Sequence, residues 1–306
     1  MSTADPDHGV PVDTVGTLMA SVSSRLAAAS EARWIVAQAA ALAPGQLLAA
    51  FDTAVSPEAV EAAQAMTERR VAGEPLQYVL GTWSFRHLEV VVDARALVPR
   101  PETEQVVEAG LVELRRLSGL PGRTAKGMTV VDLGTGSGVI ALSMARETTG
   151  DVEVWATDAS PAALALAGAN LSRLADSHPG AAARVRLAEG SWFGALPDAL
   201  RNGVQLVVSN PPYVSAAEWT VLDPEIRDHE PRAALVPGPS GLEALEVLIE
   251  GARRWLAPGG SLVLEMAPHQ ATAVRTMAER AGYVDVGVRP DLAGRDRILV
   301  ASRPRG

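Results

Sequence analysis

The chain has 306 residues and a formal net charge of −9, from 27 Lys plus Arg against 36 Asp plus Glu. That balance argues against wholesale wrapping of nucleic acid, and the lack of any cysteine excludes disulfide scaffolds, thiolate zinc sites, iron–sulfur clusters and cysteine nucleophiles. The five histidines are scattered, so no metal site is expected, and with no long apolar run and a polar, acidic N-terminus a cytoplasmic protein is the expectation.

Residues 1–11 are small and polar, with two prolines, and read as a disordered tail. Residues 12–75 are Ala-rich and helical in pattern. Ser30 reads as the N-cap of a helix over 31–42, with Ile35, Ala39 and Leu42 on one apolar stripe. Ser56-Pro57-Glu58 is a second helix start: a capping hydroxyl, Pro at the first position, then an acid. That helix is expected to run to about Val71. The segment reads as a small bundle, either a packing accessory or a substrate-recognition domain.

Residues 76–100 change character. Trp83–Phe85 and Leu88–Val92 are β-prone around Arg86-His87 and predict a hairpin linking two domains. Pro99-Arg100-Pro101 ends it, and a helix is expected from Glu102 to Leu117. From Met128 onward strands alternate with helices. Strands are predicted at 129–133, 152–157, 184–187, 204–209, 261–266 and 297–301, with helices at 139–146, 161–174, 241–256 and 269–281. This predicts an α/β fold, a mostly parallel sheet with helices on both faces, over 101–306.

The first segment with chemistry is Val130-Val131-Asp132-Leu133-Gly134-Thr135-Gly136-Ser137-Gly138. An apolar strand runs into a glycine turn and then a helix, and such sheets bind ligands at the carboxyl ends of their strands. The spacing is G-x-G-x-G, with Val139 where a dinucleotide fingerprint has its last glycine, and no Gly-Lys-Ser/Thr follows, which excludes a P-loop. Together with Asp132 inside the strand end, the pattern resembles motif I of class I S-adenosylmethionine (SAM) methyltransferases. The next strand ends at Asp158, whose two oxygens suit the vicinal hydroxyls of a ribose; the bland alternative is a helix cap.

The second segment is Val207-Val208-Ser209-Asn210-Pro211-Pro212-Tyr213. Two prolines fix the backbone and remove two N–H groups, so nearby carbonyls remain acceptors. The Asn210 carboxamide oxygen and the Pro211 carbonyl can hold the two N–H bonds of a planar NH2 group. They stabilise the positive charge that develops as nitrogen attacks a methyl carbon. Tyr213 offers a flat ring for stacking, and Pro212 completes the clamp. The bland reading is a proline turn after a core strand.

Beyond these motifs, the sequence resembles the release-factor glutamine N5-methyltransferases (the HemK/PrmC family). The resemblance rests on Gly73–Gly81 (GEPLQYVLG), Leu97–Glu104 (LVPRPETE), the 132–138 loop, Asp158, Ser191-Trp192-Phe193, Asn210–Tyr213 and His229–Leu235 (HEPRAAL). It implies a Rossmann-like class I SAM-methyltransferase domain joined by a β-hairpin to a small helical domain that contacts the release factor. It implies methyl transfer from SAM to the Gln of a Gly-Gly-Gln tripeptide in class-1 peptide chain release factors, with S-adenosylhomocysteine as product. Residues Gly134, Thr135, Gly136, Ser137 and Gly138 would line the methionine part of SAM. Asp158 would hold the ribose, Trp192 would lie beside the adenine, and Asn210, Pro211, Pro212 and Tyr213 would hold the substrate amide, with Asn210 also near the cofactor. Arg100–Glu104 would either cover the cofactor site or simply start a helix.

Two positions depart from the family pattern. Ser191 stands where an acid usually precedes the tryptophan, and Phe85-Arg86-His87 lacks the usual Gly and second ring of the hairpin. The alternatives are a ribosomal-protein glutamine methyltransferase, disfavoured by Arg100-Pro101-Glu102-Thr103 where Arg-Ser-Pro is typical, and an adenine-N6 or guanine-N2 methyltransferase, which needs a basic face. A non-catalytic SAM-binding module is a further alternative, opposed by the intact acceptors at Asn210 and Pro211. A monomer with no direct nucleic-acid partner and no membrane contact is expected.

Overall fold

The computed structural model describes residues 13–119 and 127–305. The expected disordered tail at 1–11 lies outside these residues. Two compact units divide after Gly81.

The first unit holds α1 (Val15–Arg25), α2 (Ala32–Ala39), α3 (Pro57–Val71) and α4 (Leu76–Leu80). Thr14 caps α1 by accepting from the Thr17 N–H, and Ser56 caps α3 by accepting from Ala59, ahead of Pro57. Ser30 does not cap α2. A 3-10 turn, Ala29–Glu31, runs straight into the helix, and the Glu31 carboxylate receives two hydrogen bonds from Arg70 of α3, at 2.7 and 3.0 Å. The helix also stops short of Leu42, because Ala41 turns to φ 53°. Val15, Leu18 and Val22 of α1, Ile35 and Val36 of α2 and Ala63 of α3 are buried. Burying each larger side chain contributes about 1.5–3 kcal/mol. The helix α4 lies in this unit, so the break falls after it rather than at residue 75.

The second unit opens with the hairpin β1 (Thr82–Phe85) and β2 (Leu88–Val91), then α5 (Pro101–Ser118). Arg86, at the hairpin turn, has φ 48°. Its guanidinium donates to both oxygens of Glu147 at 2.6 Å and to Glu108 at 3.0 Å, anchoring a turn that lacks the expected glycine. There follow β3 (Met128–Leu133), α6 (Val139–Glu147), β4 (Val152–Asp158), α7 (Pro161–Ser177), the short α8 (Pro179–Ala182), β5 (Val185–Glu189) and β6 (Val204–Ser209). Two short helices, α9 (Ala216–Trp219) and α10 (Pro224–His229), precede α11 (Glu243–Ala252), β7 (Leu256–Glu265), α12 (Ala271–Arg280), β8 (Val284–Pro290) and β9 (Asp296–Ser302).

The sheet order is β5-β4-β3-β6-β7-β9-β8. The pairs β5–β4, β4–β3, β3–β6 and β6–β7 are parallel, while β9 is antiparallel to both neighbours. The order reverses at β3, which places a crevice at the carboxyl ends of β3, β4 and β6. Central strands are buried on both faces, as the unbroken apolar runs Val130–Val131 and Leu206–Val208 require. Leu245, Leu248 and Ile249 of α11 and Val274 of α12 pack with Val207, Leu262 and Leu264 in one core cluster. The strand β8 was not expected, and β7 begins at Leu256, where a helix was expected to end. No helix among the described residues is long and apolar enough to cross a membrane.

Candidate active site

A cavity of about 370 Å3 opens at the predicted crevice, lined from the ends of β3, β4 and β6 and from three loops. Of the residues singled out in the sequence, Gly134, Thr135, Gly136, Ser137, Asp158, Trp192, Asn210 and Pro212 line it. Gly138, Pro211 and Tyr213 are not among its lining residues.

The glycine loop is bent by backbone that L side chains resist. Gly134, Gly136 and Gly138 have φ of 72°, 56° and 88°. Hydrogen bonds fix the rest of the bend. The N–H groups of Gly134 and Thr135 both donate to the Thr157 carbonyl, at 2.9 and 2.8 Å, and the Ser137 carbonyl accepts from Asn170 Nδ2 at 2.9 Å. Beneath the loop, the buried Asp132 Oδ2 accepts from Thr135 Oγ1 at 2.6 Å and from the Ala141 N–H at 3.1 Å, while Oδ1 has no partner among the described residues. Burial, helped by the charge of Asp158, pushes the Asp132 carboxyl up to about 7.

Asp158 is not the helix cap. Ser160 caps α7 by accepting from Ala163. Asp158 Oδ2 accepts from the Gly136 N–H and Oδ1 from the Ser160 N–H, each at 2.9 Å. The carboxylate is thereby locked at the cavity wall with lone pairs remaining on both oxygens. Trp192 has φ 48°, a strained conformation for a bulky residue, and its ring lies over the loop: a Cβ on Gly134 would sit 3.4 Å from Trp192 Cζ3. Ser191 is exposed beside it at the cavity.

At the end of β6, Ser209 Oγ donates to the Leu133 carbonyl at 2.5 Å and ties the Asn-Pro-Pro-Tyr turn to the glycine loop. Asn210 Nδ2 donates to Thr103 Oγ1 at 3.1 Å, which leaves its carboxamide oxygen as the acceptor at the cavity. The Tyr213 ring packs against the core cluster instead, and its hydroxyl donates to Glu265 Oε1 at 3.1 Å. Burial and the nearby Glu265 charge drive the Tyr213 phenol well above its ordinary range, so it stays a neutral donor. Glu265 is 1% exposed, and burial lifts its carboxyl to about 7 against the pull of Thr103, Tyr213 and Arg297.

Two further segments close over the cavity. Arg100 and the buried Glu230 form an ion pair, and the same Glu230 accepts from the Val98 N–H at 3.4 Å. Despite Arg100, burial holds the Glu230 carboxyl above its ordinary value. Arg100 thus both precedes the first residue of α5 and lines the cavity, beside Val98, Pro99, Pro231, Ala233 and Ala234. Sequence reasoning did not single out Thr103, Glu230 or Glu265 individually. The first two lie inside the quoted motifs; Glu265 carries no local signal beyond a charge at the end of an apolar strand. Gly241 was also missed. Its φ is 79°, and a Cβ there would lie 2.6 Å from the Tyr213 carbonyl oxygen. Gln270 Nε2 bridges the Tyr213 and Gly241 carbonyls at 2.9 and 3.1 Å, so this contact braces the turn from behind.

A reversing parallel sheet, a glycine loop at the switch strand, a carboxylate on the neighbouring strand and an Asn-Pro-Pro-Tyr turn define a class I methyltransferase that uses SAM. Residues 17–81 match the PrmC N-terminal domain and residues 117–224 the methyltransferase small domain. The chain is 39% identical over 277 residues to a release factor glutamine methyltransferase of Cereibacter sphaeroides, covering 90% of this chain and 92% of that one. It is 38% identical to the protein of the same name from Geobacter sulfurreducens, over 88% of this chain and 87% of that one. Among solved structures, the hMettl16 catalytic domain bound to an RNA hairpin has a TM-score of 0.53 and 14% identity, covering 82% of each chain, a likeness of fold alone. The chain belongs to the release factor glutamine methyltransferase family.

Proposed function

We propose that the protein transfers a methyl group from SAM to the side-chain amide nitrogen, N5, of the glutamine in the Gly-Gly-Gln motif of class-1 peptide chain release factors. The observation that carries this reading is convergence: the glycine loop, Asp158, Trp192 and the Asn210 carboxamide line a single cavity. The residues present fit the cofactor. Positive-φ glycines let a ligand approach the backbone, the Asp158 carboxylate suits two ribose hydroxyls, and Trp192 offers a ring face for adenine. When bound, SAM supplies an electrophilic methyl on a sulfonium.

The amide nitrogen of glutamine is a weak nucleophile because its lone pair is delocalised. Asn210 Oδ1 accepts one of its N–H groups, and the Pro211 carbonyl, although Pro211 is not among the residues lining the cavity, is assigned the other, which would orient the nitrogen and favour the positive charge it gains. No ionised base is needed before attack, since the proton leaves afterwards. The apolar wall of Val98, Pro99, Pro212, Pro231 and Ala234 excludes water and strengthens these hydrogen bonds. Tyr213 supports the turn through its hydroxyl's bond to Glu265. The helical first unit, matching a domain defined in this family, is assigned to binding the release factor, with the hairpin as the connection between the two parts. We take the enzyme to act as a monomer in the cytoplasm, where release factors work, without direct nucleic-acid contact.

Incubation of the protein with SAM and a release factor, followed by peptide mass mapping, tests this. One methyl on the Gly-Gly-Gln glutamine is expected. An unmodified glutamine, or methylation of a ribosomal-protein glutamine or of a base instead, rejects it.

A further inference from the structure

Behind the Asn-Pro-Pro-Tyr turn lies a buried hydrogen-bond chain with a fixed direction. Asn210 Nδ2 donates to Thr103 Oγ1 at 3.1 Å, Thr103 Oγ1 donates to Glu265 Oε2 at 2.8 Å, and the Tyr213 hydroxyl donates to Glu265 Oε1 at 3.1 Å. The members come from α5, from the end of β6 and from the last residue of β7. Thr103 is 3% exposed and Glu265 1%.

The direction follows from donor counting. Above about pH 7, where Glu265 is ionised, its carboxylate only accepts, so both hydroxyls must donate to it. Thr103 has one hydroxyl hydrogen. Once that is committed to Glu265, its oxygen can only accept from Asn210, and this selects the NH2 end of the carboxamide. The two ends of a carboxamide have nearly the same shape, so packing cannot choose between them; only hydrogen bonding can. With the amide reversed, NH2 would face the NH2 of the substrate, and two donors cannot bond. Core packing does not demand this chain, because apolar side chains would fill the space without burying a carboxylate.

We propose that Thr103 and Glu265 are positioning residues: they set the direction of the chain and so hold Asn210 Oδ1, rather than Nδ2, toward the methyl-accepting amide. The assignment extends the function proposed above and presupposes a carboxamide substrate at Asn210. Thr103→Val is nearly isosteric but can neither donate nor accept. Thr103→Ser keeps the hydroxyl. Glu265→Gln keeps the shape but replaces one acceptor by a donor, so one hydroxyl must reverse.

The experiment uses the full chain with SAM and a release factor, measuring kcat, KM, SAM affinity by calorimetry, and the nitrogen-15 NMR signal of the Asn210 side-chain amide. Thr103→Val is expected to lower kcat about 100-fold, the scale seen when one preorganised transition-state contact is lost, with SAM affinity unchanged. Glu265→Gln is expected to follow it, and Thr103→Ser to retain most of the turnover. The Asn210 amide hydrogens should exchange slowly in the wild type and in Thr103→Ser but quickly in Thr103→Val. Wild-type kcat in folded Thr103→Val, equal damage from Ser and Val, or unchanged exchange would overturn the assignment. Absence of glutamine methylation by the wild type would sink the substrate reading instead, and the exchange measurement would still decide whether the chain orients Asn210.

Discussion

Asn210 is the residue on which the chemistry turns. Its Nδ2 is held by Thr103 and its oxygen is left at the cavity. Asn210→Ala is expected to lower turnover about 100–1000-fold, the usual cost of removing one preorganised contact to developing charge. SAM affinity, measured by calorimetry, should change little; a parallel loss of both would mean that Asn210 serves the cofactor rather than the amide. Asp158→Ala should do the reverse, weakening SAM binding by about 2 kcal/mol, as expected for a lost charge-assisted hydrogen bond. The buried carboxyls make a separate statement about pH. Asp132 and Glu265 are each pushed up to about 7 by burial. In the folded protein they hold protons that the unfolded chain has already released. Stability therefore falls as pH rises from the ordinary carboxylate range to about 7, and the effect levels off above that. Melting temperatures should decline across this window in the wild type and decline less in Asp132→Asn. A wild-type curve that climbs throughout the window would contradict the assigned environments.

At the scale of elements, the elements that carry the site were legible because each had a short-range cause. The apolar runs before Gly134 and Asn210 are strands buried on both faces, and Ser56-Pro57 starts α3 by capping geometry alone. What the sequence hid was long-range or locally ambiguous. Glu265 meets Thr103 across 162 positions, which no local pattern reports. In β8, the bulge at Asp285 (φ 52°), together with Gly287 and Pro290, imitates a loop, so its Val284, Val286 and Val288 alternation was passed over. Ser30 had the right chemistry for a cap, but the 3-10 turn leaves the α2 start to Glu31, whose side chain is engaged with Arg70. Gly241 read as the first residue of a helix, whereas it is the left-handed residue on which the Tyr213 carbonyl rests. Gly241→Ala should therefore destabilise the fold by about 1–3 kcal/mol through strain and collision. It should also reduce turnover, although the glycine is not among the residues lining the cavity. Denaturant unfolding beside a methylation assay checks this. Full activity with unchanged stability would show that the turn does not depend on this brace.

For the whole molecule, the division after Gly81 separates a helical unit from one that, among the described residues, contributes every residue lining the cavity. If the helical unit binds the release factor, a short Gly-Gly-Gln peptide should be a much poorer substrate than the folded factor for the intact chain. The difference should appear mainly in KM, because the chemistry at Asn210 is the same for both. Equal KM values would remove the recognition role from residues 13–81. The claim beneath all of this is that donor and acceptor meet in one crevice at the switch point of the sheet. The most direct measurement is a crystal structure of the full chain with S-adenosylhomocysteine. Ribose hydroxyls on Asp158, adenine against Trp192 and the sulfur facing the Asn210 carboxamide oxygen are expected. A ligand bound elsewhere, or one whose sulfur points away from Asn210, would contradict that claim.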